Sequence, residues 1–546
     1  MGTVARSLCV LAGVLLLGVA AAAGCGAETG DPAADTAPRE GGVYSYPLLE
    51  DPGLFDPAVQ QFGDGTGVLH QVYEGLVRVE ERPDGSLETV PCLAESWSAN
   101  ADATVWTFKL RRGVLFQPPV SREVTAADVV ADARYMTDPT NECQLSYMFI
   151  GVEGVDGRGY AKAGRLGVES LDRYTVRFTL RRPFSEFPDT LASGAFWVWP
   201  VDHLRKVGRK AYGLHPVGTG PYMFLKMQAG TSIDLVVNPE WWDTSGGPYI
   251  DAIHYRVFSS VSSMMLAFQK GALDWTWVPK GQIEASRSLP QVQSGHWQAG
   301  SSPLLALGHL LVNMTDPVLG GSRGLPLRQA LTSGCDKQAV VEAASNDVDL
   351  PASGLVPPGV LGAGEAPEPY PYDPATAKQL VAESGPVTLE LIHPIDRFAQ
   401  IVAESLRAGY AEIGITLKLK PLDWNTFVAR VLEGKTQAFL MGWAADYPSM
   451  DNFLYTMFHS ESSATASGTF YADPTVDALL ERARSTPDSA ERIRLYSQAE
   501  ALIMADAPVV PILVYADYRL MDTRVAGVSF NSMAWVDLWR AWVRER

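Results

Sequence analysis

Leu93–Phe116 reads LAESWSANADATVWTFKLRRGVLF, and its second half is the clearest structural signal in the chain. It alternates around Val105, Thr107 and Lys109 and then reaches Gly113, which predicts a strand followed by a turn. Further on, RYTVRFTLRRPF (Arg173–Phe184) alternates Val176, Phe178 and Leu180 and predicts another strand. Helical signals are mixed with these. YDPATAKQLVAESG (Tyr372–Gly385) offers Asp373 as N-cap, Pro374 at the first helical position and Gly385 as the stop. ADPTVDALLERARS repeats the device with Asp473 and Pro474, and TPDSAERIRLYSQAEALIMAD with Thr486 and Pro487. In the last of these, Ile493, Tyr496, Leu502 and Ile503 recur at helical spacing and are expected to face the core. The pattern is mixed α/β, in a body long enough for two or three lobes.

The N-terminus is different in kind. Arg6 is the only charged side chain before Glu28, and LAGVLLLGVAAAAG (Leu11–Gly24) is apolar with a small-residue end. This is the layout of a secretory signal, expected over 1–24. Ala22-Ala23-Gly24-Cys25 resembles a bacterial lipobox, which implies a lipid on the Cys25 thiol and cleavage just before it. Residues 25–40 hold no aliphatic side chain larger than Ala, so they are expected to be a disordered tether. Acyl chains would then hold the protein at the outer face of the cytoplasmic membrane.

Composition bounds the rest. The chain has 546 residues, is 47% hydrophobic and carries a net charge of −18, which argues against a nucleic-acid partner. After Cys25 only Cys92, Cys143 and Cys335 remain, an odd number, so a fully paired framework is excluded. One bridge is open, with Cys92–Cys143 favoured. Several catalytic patterns fail on context. GGSRG (Gly320–Gly324) fits G-x-S-x-G, but a turn-like stretch precedes it and Pro326 follows, where a nucleophile elbow needs strand and helix. Gly434-Lys435-Thr436 has Ala429 where a phosphate-binding loop needs its first Gly. The eight His residues are scattered without metal-ligand spacing, so neither a metal nor a cofactor is expected.

Five stretches, in order, resemble one family. LAESWSANADATVWTFKLRRGVLF with VTAADVVADARYM is similar to its signature. HPVGTGPYMF (His215–Phe224), NPEWWDTSGGPYIDAIHYRVFSSVSSMMLAFQKGALDW, LVNMTDPVLGGSRGLPLRQALTSGCDKQAVV and GWAADYPSMDNFL (Gly442–Leu454) are similar to its later elements. The family is the extracytoplasmic solute-binding proteins of peptide and nickel ABC importers, family 5. Three places depart from its pattern: the loop FQPPVSREVT, Gly334-Cys335 in place of Ala-Ile, and Ser449-Met450 where Asp-Pro often stands.

The resemblance implies a type II periplasmic-binding-protein clamshell with an additional third domain and two hinge crossovers. Domain I would comprise 41–75, 200–300 and 518–546, domain II 76–199 and domain III 301–517. It implies a peptide ammonium paired with Asp446, with Trp443 beside it and with Trp424, Tyr44 and Phe62 near the ligand loops. The physical case for Asp446 is that a buried ammonium needs a charged partner; the competing reading is a turn-capping Asp before Pro448. Each aromatic taken alone is more often a core residue. Gly218, Gly220, Trp241 and Trp242 are assigned to the fold. The expected function is capture of oligopeptides for an ABC permease and its ATPase subunits by a monomeric lipoprotein that does no covalent chemistry. Open alternatives are haem, a metal chelate, an opine or an oligosaccharide as ligand, a peptide-signal receptor, and a secreted serine hydrolase using the GGSRG serine.

Overall fold

The computed structural model describes residues 37–546 except 57, 59–63, 83–84, 386 and 545–546. The expected signal peptide, Cys25, most of the tether and Phe62 lie outside the described residues.

β1 (Val43–Leu48) opens the described chain. A hairpin of β2 (Val77–Glu81) and β3 (Leu87–Pro91) follows. It leads into an antiparallel sheet of β4 (Ala94–Ala99), β5 (Val105–Leu110), β6 (Val168–Asp172) and β7 (Thr175–Thr179), in the order β4-β5-β7-β6. The alternation behind the two predicted strands is real: Trp106, Phe108 and Leu110 on β5 and Val176 and Phe178 on β7 are buried. β8 (Tyr222–Gln228), β9 (Ser232–Val237) and β10 (Ala252–Val257) then return to β1 in the order β1-β10-β9-β8, with β1 parallel to β10.

The third sheet contains β11 (Trp275–Trp277), β12 (Trp297–Val312), β13 (Leu350–Pro351), β14 (Val387–Pro394), β15 (Ile415–Leu422), β16 (Ala438–Ala444) and β17 (Val509–Asp522). Its order is β11-β17-β12-β16-β14-β15, with β13 on β17. β12 and β17 run antiparallel from Trp297↔Asp522 to Leu311↔Val509, with an irregularity between Pro303 and Leu307. One end of this long pair carries β11 and the other carries the parallel strands β16, β14 and β15. The apolar side chains gather in three clusters. The largest joins the first two sheets to the helices after β16, another lies around β14 and β15, and a smaller one surrounds Phe268 and Trp297.

Two of the quoted sequence stretches interlock. Gln117, in the departing FQPPVSREVT loop, donates its side-chain amide to the carbonyls of Gly220 and Tyr222 and its backbone N–H to that of Gly218. A Cβ on Gly218 would stand 2.0 Å from the Val72 carbonyl oxygen. The glycine is there for close approach of two backbones. Trp241 and Trp242 both donate their indole N–H to the buried Glu74 carboxylate, at 3.2 and 2.9 Å.

Asp373 and Asp473 cap their helices as expected, with Pro374 and Pro474 just inside. Three expectations are corrected. The helix expected from Thr486 begins at Ser489, capped by Asp488, because the Thr486 hydroxyl donates back to the Arg482 carbonyl and closes the preceding helix. On that helix Tyr496 and Ile503 are buried, but Leu502 is 40% exposed: seven residues bring the helix back to the same face and six do not. Cys92 and Cys143 are free and buried. The Cys92 thiol donates to Glu74 and the Cys143 thiol to the Tyr135 carbonyl, so each sits with its own partner.

Candidate functional site

Parallel strands in an α/β sheet offer their carboxyl ends as the natural ligand edge, because loops there converge and the following helices begin there. β14, β15 and β16 end at Pro394, Leu422 and Ala444. β14 pairs with β16 only through Leu391↔Ala438 and Ile392↔Phe439, and ends three residues after Leu391. β16 continues to Ala444 in register with β12. Gly442 and Ala444, on the stretch of β16 beyond β14, are exposed. A strand with one bonded side and one open side is a place where an extended chain can be added.

Asp446 lies just past this stretch and is partly buried. Its Oδ1 accepts from the Tyr147 hydroxyl at 2.8 Å and its Oδ2 from the Asn452 amide at 3.3 Å. Asn452 is the organiser. Its Oδ1 accepts both the Asp446 backbone N–H, at 3.2 Å, and the Trp443 indole N–H, at 2.9 Å. Asn452 sits on the helix Met450–Phe458, whose start is capped by Ser449. So Asp446 and Trp443 are brought together, through a residue that the sequence reading did not single out. A polar Asn set beside Phe453, Leu454 and Met457 in an otherwise apolar stretch was the available signal.

The electrostatics of two nearby acids differ. Asp451 is buried but accepts two bonds from the Arg484 guanidinium, plus the hydroxyls of Tyr447 and Tyr496. Asp446 makes no ion pair with a basic side chain among the described residues, and its two side-chain donors are neutral. Burial pushes its carboxyl up from the usual range, against the pull of the Tyr147 and Asn452 hydrogen bonds. No backbone N–H donates to this carboxylate among the described residues, so its bonds are not those of a turn cap.

The other aromatic candidates separate. Trp424 opens the helix Trp424–Leu432, is 59% exposed, and stacks one face on Phe427 at 5.7 Å. Tyr44 is 1% exposed and meets Tyr46 edge-on at 6.3 Å, inside the main core. Among the described residues no hydrogen bond, ion pair or ring contact joins Trp424 to Asp446. Ser322 of GGSRG is on an exposed turn; β12 ends at Val312 and the next helix starts at Leu325, so no elbow forms.

Tyr147 comes from the 3-10 turn Ser146–Phe149, within the segment that carries β4–β7. A second set of contacts joins the same two parts of the chain. The Ser185 N–H donates to the Arg484 carbonyl at 2.6 Å, the Ser449 hydroxyl to Glu186 at 3.0 Å, and Arg492 pairs with Glu186 at 3.3 Å. Burial pushes the Glu186 carboxyl up to about 7, against Arg492, and that of Asp189 up to about 6.

The sequence profile described as bacterial extracellular solute-binding proteins, family 5 Middle, matches residues 88–465. The chain is 28% identical over 508 residues to di/tripeptide-binding protein 1 of Pseudomonas aeruginosa, covering 88% of this chain and 91% of that one. It is 27% identical over 512 residues to heme-binding protein A of Haemophilus influenzae, covering 89% of each. In structure it is similar to the ABC transporter-associated periplasmic binding protein DppA from Helicobacter pylori in complex with peptide STSA. That match has a TM-score of 0.75 at 24% identity and covers 93% of this chain and 99% of that one.

Proposed function

The chain belongs to the bacterial extracellular solute-binding proteins, family 5, and on that premise we propose that it captures short peptides and hands them to an ABC permease. Its fold is the type II periplasmic-binding-protein clamshell of that family, mixed α/β with a third domain. The observation that carries the peptide reading is Asp446: a partly buried carboxylate, held by Tyr147 and Asn452, with no basic partner among the described residues. A free peptide brings the missing cation in its α-ammonium, and the open edge of β16 offers main-chain groups to its amides. Trp443 supplies rigid contact area beside them. The peptide-binding relative supports this reading, and a haem-binding relative of similar identity makes haem the competing ligand.

The domain division goes with it: 41–75, 200–300 and 518–546 as domain I, 76–199 as domain II and 301–517 as domain III. The hinge would be β12 and β17, where Ser301 pairs with Tyr518 and Ser302 with Asp517 just before the irregularity at Pro303. Closure of two lobes about such a pair buries the ligand. The protein acts as a monomer without covalent chemistry, tethered outside the membrane by a lipid on Cys25. Among the described residues no helix is long and apolar enough to cross a membrane.

The test is a double-mutant cycle by calorimetry on wild type and Asp446→Asn, each with a free tripeptide and its N-acetylated form. Either change alone should cost on the order of 2–5 kcal/mol, roughly thirty-fold to several-thousand-fold in affinity. The second change should then add little. Independent, additive losses would mean that the ammonium and Asp446 do not meet. Haem binding without peptide binding would replace the ligand and leave the family.

A further inference from the structure

Glu186 and Asp189 flank the start of the short helix Phe187–Thr190, in the segment that meets the helices after β16. The helix Met450–Phe458 brings Ser449 and Asp451 to them, the helix Pro474–Ser485 brings Arg484, and the helix Ser489–Asp506 brings Arg492 and Tyr496. The β2–β3 hairpin brings Arg82, Glu88 and Thr89. At the outer edge Arg182 pairs with Glu461 and Glu481, and His459 lies 3.5 Å from Glu481. Arg484 is committed to Asp451 by two bonds, at 2.8 and 2.9 Å, and Arg82 to Glu88 at 2.9 Å. Arg492 is left for both Glu186, at 3.3 Å, and Asp189, and it also donates to the carbonyls of Thr486 and Pro487. Among the described residues the centre of this junction thus sets the carboxyls of Glu88, Glu186, Asp189 and Asp451 against only the guanidiniums of Arg82, Arg484 and Arg492.

The uncompensated charge falls on the Glu186–Asp189 pair. The Ser449 hydroxyl and Arg492 both meet Glu186 Oε1, while Oε2 is enclosed with no donor among the described residues. A buried oxygen without a donor carries negative charge at a cost, and a proton removes that charge. Protons can reach it. A cavity lined by the exposed Arg82 and Glu88 and by Glu186, Asp189, Ser449 and Arg492 joins the pair to solvent. Burial accordingly pushes the Glu186 carboxyl from 4.5 up to about 7 and that of Asp189 from 3.8 up to about 6.

We propose that this junction is a proton-operated latch: the lobes close on it as the Glu186–Asp189 pair takes up protons, and ionisation of the pair loosens closure and weakens ligand capture. This rests on the division into lobes proposed above, which puts Glu186 and Asp189 on one side of the cleft and Ser449, Arg484 and Arg492 on the other. With the lobes apart, the two carboxyls lose these neighbours and return to ordinary values in water. The closed form therefore holds protons more tightly than the open one. The contribution of the latch is full below about pH 4 and is lost as pH rises through about 6 and then about 7. The two groups face one cation, so they titrate as a pair. Capture is thereby favoured in an acidic medium and release in a neutral one.

The test is calorimetry of Ala-Ala-Ala binding at pH 6.5 in phosphate and in imidazole, two buffers whose ionisation heats differ. Wild type is compared with Glu186→Gln, Asp189→Asn and the double variant, which keep the side-chain shapes and cannot titrate. Arg492 retains its two carbonyl partners in all of them. Wild type should take up about one proton per peptide bound, and its affinity should fall at least about tenfold from pH 5 to pH 8. The double variant should take up little and lose most of that fall. Asp446, His459 and the ammonium of the peptide are common to both proteins, so the difference belongs to the pair. Equal proton uptake in wild type and double variant overturns the latch and leaves peptide binding intact. If Ala-Ala-Ala does not bind, that counts against the peptide reading, and small-angle X-ray scattering of the unliganded protein decides the latch separately. Wild type should then be more compact at pH 5 than at pH 8 and the double variant unchanged; a wild type of equal size at both overturns the latch.

Discussion

The Tyr147 hydroxyl donates a 2.8 Å hydrogen bond to Asp446 Oδ1, joining residues 299 positions apart in the chain. It ties the 3-10 turn Ser146–Phe149 to the loop that follows β16. The bond does two things. It keeps the Asp446 carboxylate oriented without neutralising it, and it forms only when these two parts of the chain are together.

Tyr147→Phe therefore tests whether that closure matters to binding. Removing the hydroxyl keeps the ring and takes away one hydrogen bond to a charged group, a loss of about 1.5–3 kcal/mol, or roughly tenfold to more than a hundredfold in peptide affinity. Calorimetry on the purified variant checks it. An affinity equal to that of wild type would make the bond incidental to capture.

Gly218→Ala should unsettle the fold and leave ligand chemistry alone. Its Cβ would stand 2.0 Å from the Val72 carbonyl oxygen and 2.7 Å from the Tyr73 ring. The loop before β8 cannot simply move aside, because the Gly218 carbonyl accepts from Gln117 N–H and its own N–H donates to the Gln117 side chain. A loss of about 3 kcal/mol or more is expected for such an overpacked, buried contact. Urea unfolding measures it, and an unshifted midpoint would contradict the close-approach argument.

Glu500 should make stability fall as pH rises. It is buried on the helix Ser489–Asp506, accepts the Leu355 N–H at 2.7 Å, and burial pushes its carboxyl from an ordinary 4.5 up to about 7. The folded state thus holds this proton more tightly than the unfolded state does. Its contribution is full below about pH 4.5 and is lost as pH rises through about 7. Between pH 5 and 8 the change is about 2–3 kcal/mol. Glu500→Gln cannot titrate, so its stability should vary less over that range. Parallel pH profiles for wild type and variant would refute the assignment; Glu186 and Asp189 contribute in the same sense to both.

Cys25→Ser should leave the precursor without lipid and largely uncleaved at Gly24–Cys25. The thiol is the acyl acceptor that the Ala22-Ala23-Gly24-Cys25 junction implies, and a hydroxyl does not replace it. Metabolic labelling with an alkyne fatty acid reads the result. Equal label on wild type and variant would remove the anchor from the proposal.

What this sequence determined by itself is everything governed by neighbours along the chain. Period-two burial on β5 and β7 and the Asp-Pro caps at Asp373 and Asp473 were legible because propensity and capping act within a few residues. The pairing of Trp443 with Asp446 was legible for the same reason: both belong to one short stretch, GWAADYPSMDNFL. Local signals could also compete, and at the last long helix Asp488 prevailed over Thr486 once the Thr hydroxyl was committed to the previous helix. Only the tertiary structure decided the rest. Tyr44 and Trp424 are equally apolar in sequence, yet one is enclosed and the other stands in solvent, because burial depends on what folds over a residue. The two thiols are unpaired because each met a different neighbour. Tyr147 reaches Asp446, and Arg484 neutralises Asp451 while leaving Asp446 uncompensated, through contacts between segments that nothing local connects.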